Sequence, residues 1–177
     1  MVELEKKDLK YYIETYENLR NVTLCYLLDK KTGKVLIAMK KRGFGAGKLN
    51  GVGGKVEKDE SIEDALIRET KEEINVDIKE FEKVAVINFY FKNNPIDKDF
   101  NQKAHVFIAY KWEGEPTESE EMAPQWINVD ALPLEKMWSD DRYWLPDILS
   151  GKKLIAWFLF DDENNIAEKE IKEVNGF

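Results

Sequence analysis

The chain of 177 residues contains one cysteine, Cys25, and one histidine, His105. With so few soft ligands, no zinc centre of the cysteine or histidine type can be built within one chain. A single thiol also excludes an internal disulfide framework, which points to a reducing, cytoplasmic compartment. Long apolar runs are missing as well. The longest, at 154–160, is far too short to span a bilayer, so no membrane partner is expected. Residues 1–8 are charged and lack the apolar stretch of a secretory signal. Positive charge is in deficit, with 27 Lys and Arg against 35 Asp and Glu and a net charge of −8. That balance argues against a nucleic-acid polymer as partner, because such proteins need a basic surface. Any metal held by side chains would be a hard ion on carboxylates.

What is present is enough apolar material to fold. The hydrophobic fraction is 43% and the aromatic fraction 12%, which excludes a disordered chain. The length suits one core, and nothing reads as a repeat or an interdomain linker. Residues 21–177 read as one domain and 1–20 as an N-terminal extension. In that extension Leu9, Tyr12, Ile13 and Tyr16 recur at helical spacing, as in an amphipathic helix packed on the domain, with a dimer contact as the alternative. A monomer is expected.

Residues 22–28, 35–39, 84–91 and 104–112 are rich in β-branched and aromatic side chains and read as strands, with 154–160 as a further one. Lys31, Thr32 and Gly33 read as the turn of a hairpin joining the first two. Ser61, with Asp64 at the capping-box position, starts a helix whose apolar stripe is Ile62, Ala65, Leu66 and Ile74. A second helix is expected between Asp140 and Leu149, although it contains Pro146. Residues 113–121 read as an acidic loop. Strands mixed with helices predict an α/β (α+β) layered fold.

The first helix carries the chemistry. Glu69, Glu72 and Glu73 fall within one 100° arc, at i,i+3 and i,i+4 spacing. Like charges at that spacing destabilise a helix by roughly 0.2–0.5 kcal/mol per pair, and these sit in the last turns, where the dipole also disfavours them. A divalent cation would turn the repulsion into ligation. The alternative is a solvated charged face, to which Arg68 and Lys71 contribute the opposite sign. Gly53 and Gly54 stand just before the helix, and a Gly pair permits close backbone approach to a ligand.

These residues resemble the signature of the Nudix hydrolases. It reads Gly, five residues, Glu, seven residues, Arg-Glu, an apolar residue, any residue, Glu-Glu, any residue, Gly, and an apolar residue. The match falls on Gly54, Glu60, Arg68, Glu69, Glu72, Glu73 and Val76. Six such fixed positions arise by chance on the order of 10⁻⁷ per window. Two positions depart. Thr70 replaces an apolar residue, which would loosen helix packing slightly, and Asn75 replaces a Gly at a position where Asn tolerates the left-handed conformation.

The resemblance implies an α/β/α sandwich around a mixed sheet and a hydrolase of nucleoside diphosphates linked to another group. It implies a catalytic set of Arg68, Glu69, Glu72 and Glu73, with the choice of base among the glutamates left open. The implied cofactor is Mg²⁺, with Mn²⁺ as the alternative, on Gly53, Glu69, Glu72 and Glu73; Glu121 is either an outlying ligand of the same ion or one of several solvated acids. Arg68 would orient the carboxylates, with Asp64 and Glu72 as local partners, and Glu60 would be a structural partner of the loop.

Beyond the signature, residues 39–55 (MKKRGFGAGKLNGVGGK), 118–122 (ESEEM) and 137–144 (MWSDDRYW) resemble the oxidised purine nucleoside triphosphate hydrolases, the 8-oxo-dGTP diphosphatases. The likeness implies a nucleotide as the partner and a role in sanitising the nucleotide pool. Asn50 would hydrogen-bond the base and Asp140 and Asp141 would read its edge. Trp138, Phe44 and Phe89 would line it, with Thr23 and Met122 as further wall. Gly53, Gly54 and Lys40 would approach the phosphates. An adjacent Asp pair beside a buried base would hold one proton, because desolvation and like charge both raise a carboxyl pKa; helix capping is the other reading of Asp140. Ser139 and Arg142 differ from the usual form of the third motif. Hydrolysis of a different nucleotide derivative, or binding without catalysis, are the competing readings.

Overall fold

The computed structural model describes residues 7–93 and 100–177. The part of the expected extension before residue 7 lies outside these. The strands are β1 (Arg20–Asp29), β2 (Lys34–Lys40), β3 (Leu49–Asn50), β4 (Asp77–Phe91), β5 (Gln102–Glu113), β6 (Met122–Asn128), β7 (Lys153–Phe160) and β8 (Ile166–Val174). They form one sheet in the order β3-β2-β1-β5-β4-β7-β8, with β6 on the free side of β2. The pairs β1·β5 and β4·β7 are parallel and the others antiparallel, so the sheet is mixed.

Strand alternation sends side chains to two faces, and both faces are covered. One face carries Tyr26, Ile37, Ile87, Val106 and Phe158 against Trp144, Leu145 and Ile148 of α3 (Asp141–Leu149). The other carries Cys25, Leu27, Leu36, Phe107 and Ala109 against Leu66 and Ile74 of α2 (Ile62–Ile74). The short α1 (Leu9–Thr15) buries Leu9 and Tyr12 against Tyr90 and Leu159. Tyr90 alternates with Phe89 and Phe91, so α1 shares the face of α2. The result is the α/β/α sandwich that the motifs implied. Among the described residues, no helix is long and apolar enough to cross a membrane.

The strands missing from the sequence reading have physical reasons. The β6 segment contains Pro124 and leaves Gln125 and Trp126 exposed. The β8 segment, IAEKEIKEV, pairs only with β7 and is largely exposed, so it needs no apolar alternation. The first half of β4 is polar and broken by register shifts near Glu80 and Lys83, which hid residues 77–83 from a pattern search.

One irregularity builds the site. β1 and β2 pair only next to their hairpin, from Leu27↔Leu36 to Asp29↔Lys34. Beyond that they splay, and residues 49–55 wedge between them. This segment pairs with β2 at Met39↔Leu49 and Ala38↔Asn50. It then crosses to β1, bridging Cys25↔Val52 and Val22↔Lys55.

Candidate active site

Helix α2 begins where Ser61 accepts the Asp64 amide at 3.1 Å. It ends at Asn75, whose φ of 59° and ψ of 39° give the left-handed cap expected there. Thr70 is fully buried, but its hydroxyl donates to the Leu66 carbonyl at 2.8 Å, so the departure from an apolar residue leaves no unpaired group.

The glutamates of the last turns diverge in environment. Glu72 stays largely exposed, whereas Glu69 and Glu73 turn toward the wedge. Glu73 Oε2 accepts the Gly53 amide at 3.0 Å. Burial, followed by the charges of Glu69 and Glu121, pushes its pKa up to about 8. Glu69 is also raised, first by burial and then by Glu72 and Glu121, against the pull of Arg68. The Gly pair is required here. A Cβ on Gly53 would lie 1.8 Å from the Thr23 carbonyl oxygen, and one on Gly54 would lie 2.5 Å from the Glu69 carboxyl carbon.

Arg68 holds this arrangement together. It donates to Glu60 at 2.7 and 2.9 Å, to Glu69 at 2.9 Å, to Glu72 at 3.3 Å and to the Lys55 carbonyl at 3.1 Å. Glu72 is a partner as expected, but Asp64 is not: the guanidinium extends toward the loop instead. Glu60 also accepts the Glu57 amide at 3.1 Å, and these bonds lower its pKa to about 2.

Glu121 reaches the same neighbourhood from the loop before β6. With Glu72, Glu73, Arg42, Ser119 and Glu120 it lines a cleft of about 270 Å³. Lys40 lies close enough to lower the Glu73 pKa. Among the described residues, no three acidic side chains converge as a ready-made metal cage. Each candidate ligand is engaged elsewhere: Glu69 with Arg68, Glu73 with Gly53, and Glu121 with Arg42 at 3.1 Å. The donor set is nevertheless that of a hard divalent cation, and the burial and carboxylate crowding that raise Glu69 and Glu73 are what such a cation would offset.

On the opposite face of the wedge lies a ring of aromatics. Trp138 packs against Phe44 at 5.2 Å, Phe160 at 5.9 Å and Phe91 at 6.3 Å between ring centroids. Phe44 stacks on Phe100 at 4.5 Å. Phe89 stands one step away, against Phe158 and Phe160, so Phe91 rather than Phe89 joins Trp138 and Phe44. Both point to the same face two residues apart, and the sequence alone does not tell them apart. Thr23 and Met122 lie elsewhere. The Thr23 hydroxyl is paired with the Gly54 backbone, and Met122 is buried among the residues that pack on α2.

Asn50 Oδ1 accepts from the Tyr26 hydroxyl at 3.2 Å and from the Gly51 amide at 2.9 Å, and among the described residues its Nδ2 is left as the open donor. Asp140 and Asp141 are both buried. Asp140 does not cap α3: it makes no side-chain bond to the helix backbone, and its Oδ2 accepts from Trp144 Nε1 at 2.7 Å. Burial raises its pKa to about 6. Asp141 is raised further, by burial and then by Asp140, and its Oδ2 has no hydrogen-bond partner among the described residues. Lys48 is a participant that pattern reading missed. Its ammonium sits 5.2 Å from the Trp138 ring and lowers both aspartates, though less than burial raises them. Ser139 donates to the Asn164 carbonyl at 3.3 Å and so ties the aromatic motif to the β7–β8 turn.

A sandwich with a carboxylate helix set against a Gly-Gly wedge is a Nudix-type architecture. The chain belongs to the Nudix family: the NUDIX domain matches residues 18–148. It is 44% identical over 158 residues to the oxidized purine nucleoside triphosphate hydrolase of Mus musculus, covering 89% of this chain and 97% of that protein. It is 42% identical over 151 residues to the Danio rerio protein of the same name, covering 85% and 94%. Among solved structures, a MutT protein from Bacillus halodurans superimposes with a TM-score of 0.74 at 25% identity, covering 87% of this chain and 98% of that one.

Proposed function

We propose that this Nudix hydrolase converts oxidised purine (deoxy)nucleoside triphosphates, 8-oxo-dGTP among them, to the monophosphate and pyrophosphate, and so sanitises the nucleotide pool. One observation carries the reading. The wedge of residues 49–55 ties Asn50 to Tyr26, a residue on which the charges of Asp140 and Asp141 act, and sets Gly53 and Gly54 against the glutamates. A single short segment thus connects the neighbourhood of the Asp pair to the carboxylate cleft. The two vertebrate relatives, similar over nearly their whole length, support the same substrate class.

Nudix hydrolases work with divalent metal ions. Here Glu69, Glu72, Glu73 and Glu121, with Gly53, would hold Mg²⁺ or Mn²⁺. Bound there, the ion would neutralise phosphate charge and acidify a water. The chain supplies the rest. Lys40 offers an ammonium to the triphosphate, and Arg68 fixes the glutamates through Glu60. One of the glutamates accepts the proton of the attacking water. In the pocket, Asn50 Nδ2 donates to the base. Asp140, held by Trp144, is the more readily ionised acid and accepts, whereas Asp141 keeps its proton and donates. Phe44, Phe91 and Trp138 provide the stacking surface. The enzyme acts as a cytoplasmic monomer in this reading.

A panel of 8-oxo-dGTP, 2-oxo-dATP, methylated purine triphosphates, dGTP and ADP-ribose, assayed for pyrophosphate release with and without Mg²⁺, tests it. The expected result is Mg²⁺-dependent turnover with oxidised purines preferred over dGTP. Preference for ADP-ribose or for unmodified dGTP would overturn the substrate, and absence of hydrolysis in Mg²⁺ would overturn the enzyme.

A further inference from the structure

A second polar cluster lies on the sheet face that carries α2, away from the carboxylate cleft. His105 on β5 is buried, and it is flanked in the sheet by Thr23 and Val86. Lys83 Nζ lies 2.8 Å from His105 Nδ1, and His105 Nε2 lies 2.9 Å from Asn21 Oδ1. An ammonium only donates, so Nδ1 is the acceptor and Nε2 carries the proton given to Asn21. The imidazole is therefore neutral and compensates no charge. Burial and the charges of Lys83 and Lys103 hold its pKa down at about 4.

Lys103 stands two residues before His105 on β5, on the same face, and is registered with Asn21. Its charge acts on both Lys83 and His105. Among the described residues, neither Lys83 nor Lys103 has a carboxylate within 4.0 Å. The acid whose field reaches Lys83 is Glu63 on α2, which makes no ion pair with it. The Phe177 ring lies 5.6 Å from the Lys83 ammonium and covers it from the C-terminal side.

A half-buried charge without a counter-charge is costly, and two neighbouring amines raise the cost. The open polar groups of these three residues are donors: two N–H of Lys83, which the Phe177 ring flanks, three of Lys103, and the Asn21 amide, whose Nδ2 makes no bond among the described residues. A ligand made only of acceptors and carrying negative charge matches that set. Several donors on one sheet face suit a tetrahedral oxyanion better than a planar carboxylate.

We propose that Lys83, Lys103 and Asn21 form a binding site for a phosphate-type oxyanion, inorganic phosphate or pyrophosphate, distinct from the carboxylate cleft. His105 is the positioning residue: it holds Asn21 and Lys83 in place without carrying charge.

The chain has a single histidine, so its imidazole gives one set of NMR signals. The metal-free full-length protein is titrated with phosphate, pyrophosphate or acetate at pH 7 and constant ionic strength while the ring nitrogens are followed. The expected result is a saturable shift with phosphate or pyrophosphate, midpoint on the order of millimolar, and none with acetate. Lys103→Met weakens the midpoint at least about tenfold, one lost charge-assisted bond, and Lys83→Arg retains it. A flat titration overturns the proposal. So does a shift unchanged in Lys103→Met, which would place the anion in the carboxylate cleft, or an equal response to acetate. The readout needs no turnover, so it stands or falls independently of the hydrolase activity.

Discussion

Glu73 accepts the amide of Gly53 at 3.0 Å, and this bond couples the end of the carboxylate helix to the wedge between β1 and β2. Burial nevertheless raises the Glu73 pKa to about 8. A carboxyl raised in the folded state favours folding while protonated. Its contribution to metal-free stability is therefore full below the unfolded pKa near 4.5 and is lost as pH rises toward 8, by a few kcal/mol at most. Glu73→Gln keeps an oxygen for the Gly53 amide and removes the ionisation. It should flatten the profile and raise the metal-free melting temperature at pH 8 by roughly 4–8 °C. Turnover should drop by about 100-fold or more. Scanning calorimetry at pH 5 and pH 8 with an Mg²⁺ assay checks both; an activity near wild type removes Glu73 from the site.

Arg68 touches three glutamates and one carbonyl, so its replacement disturbs the loop and the helix together. The sharper variant is Glu60→Gln. It leaves Glu69, Glu72 and Glu73 unchanged and removes the anion that holds Arg68 at 2.7 Å. Supports of this kind behind metal ligands cost about 10–100-fold in metal affinity or activity. The expected result is a raised Mg²⁺ requirement that high Mg²⁺ partly restores. A loss of kcat that no Mg²⁺ concentration relieves would mean that Glu60 acts on the chemistry directly.

Much of this was legible in the sequence because it depends on local spacing. The helix from Ser61 to Asn75, its glutamate arc and the need for two glycines are periodicity and sterics within some twenty residues. The engagement of each carboxylate was not, because it depends on what the wedge brings near. Arg68 turned to Glu60 rather than Asp64, and Glu121 met Arg42 across two loops. In the pocket, Phe89 and Phe91 share a face and a chemistry, and only the position of Trp138 chooses between them. Lys48 has no local pattern to mark it; its role depends on an ammonium that lies 5.2 Å from the Trp138 ring. The edge strand β8 was invisible because a largely solvated strand has no apolar pattern to show.

Trp144 donates to Asp140 at 2.7 Å, the chief influence holding the Asp140 pKa down against burial. Trp144→Phe keeps the ring packing against Tyr26 and deletes the donor. The Asp140 pKa then rises above its value of about 6. If ionised Asp140 reads the base, the pH at which 8-oxo-dGTP binding is half-developed moves upward, and at pH 6 KM rises several-fold with kcat little changed. Asp141→Leu, in contrast, should narrow the preference for 8-oxo-dGTP over dGTP, because it removes the donor that Asp141 offers the base. Steady-state kinetics across pH 5.5–8.5 separates the two; an unmoved KM profile in Trp144→Phe would assign the ionisable edge contact to another group.

The helix α1 is anchored by Leu9 and Tyr12 on Tyr90 and Leu159, and the Leu9 amide donates to Glu168 at 2.8 Å. We propose that it is a stabilising strap outside the catalytic unit. Tyr12 is 6% exposed and its ring meets Tyr11, Tyr16 and Tyr90, so truncation leaves a void that the short helix cannot close. Tyr12→Ala should cost about 2–4 kcal/mol and lower the melting temperature by roughly 5–12 °C. Among the described residues, none of its contacts involves the wedge, Glu69, Glu72, Glu73 or the aromatic ring, so kcat and KM for 8-oxo-dGTP should stay within about twofold. Thermal unfolding paired with kinetics at 25 °C checks this. A kinetic defect in a variant that remains folded would make α1 part of the active unit, with β4 as the physical route, since Tyr90 sits beside Phe91 on that strand.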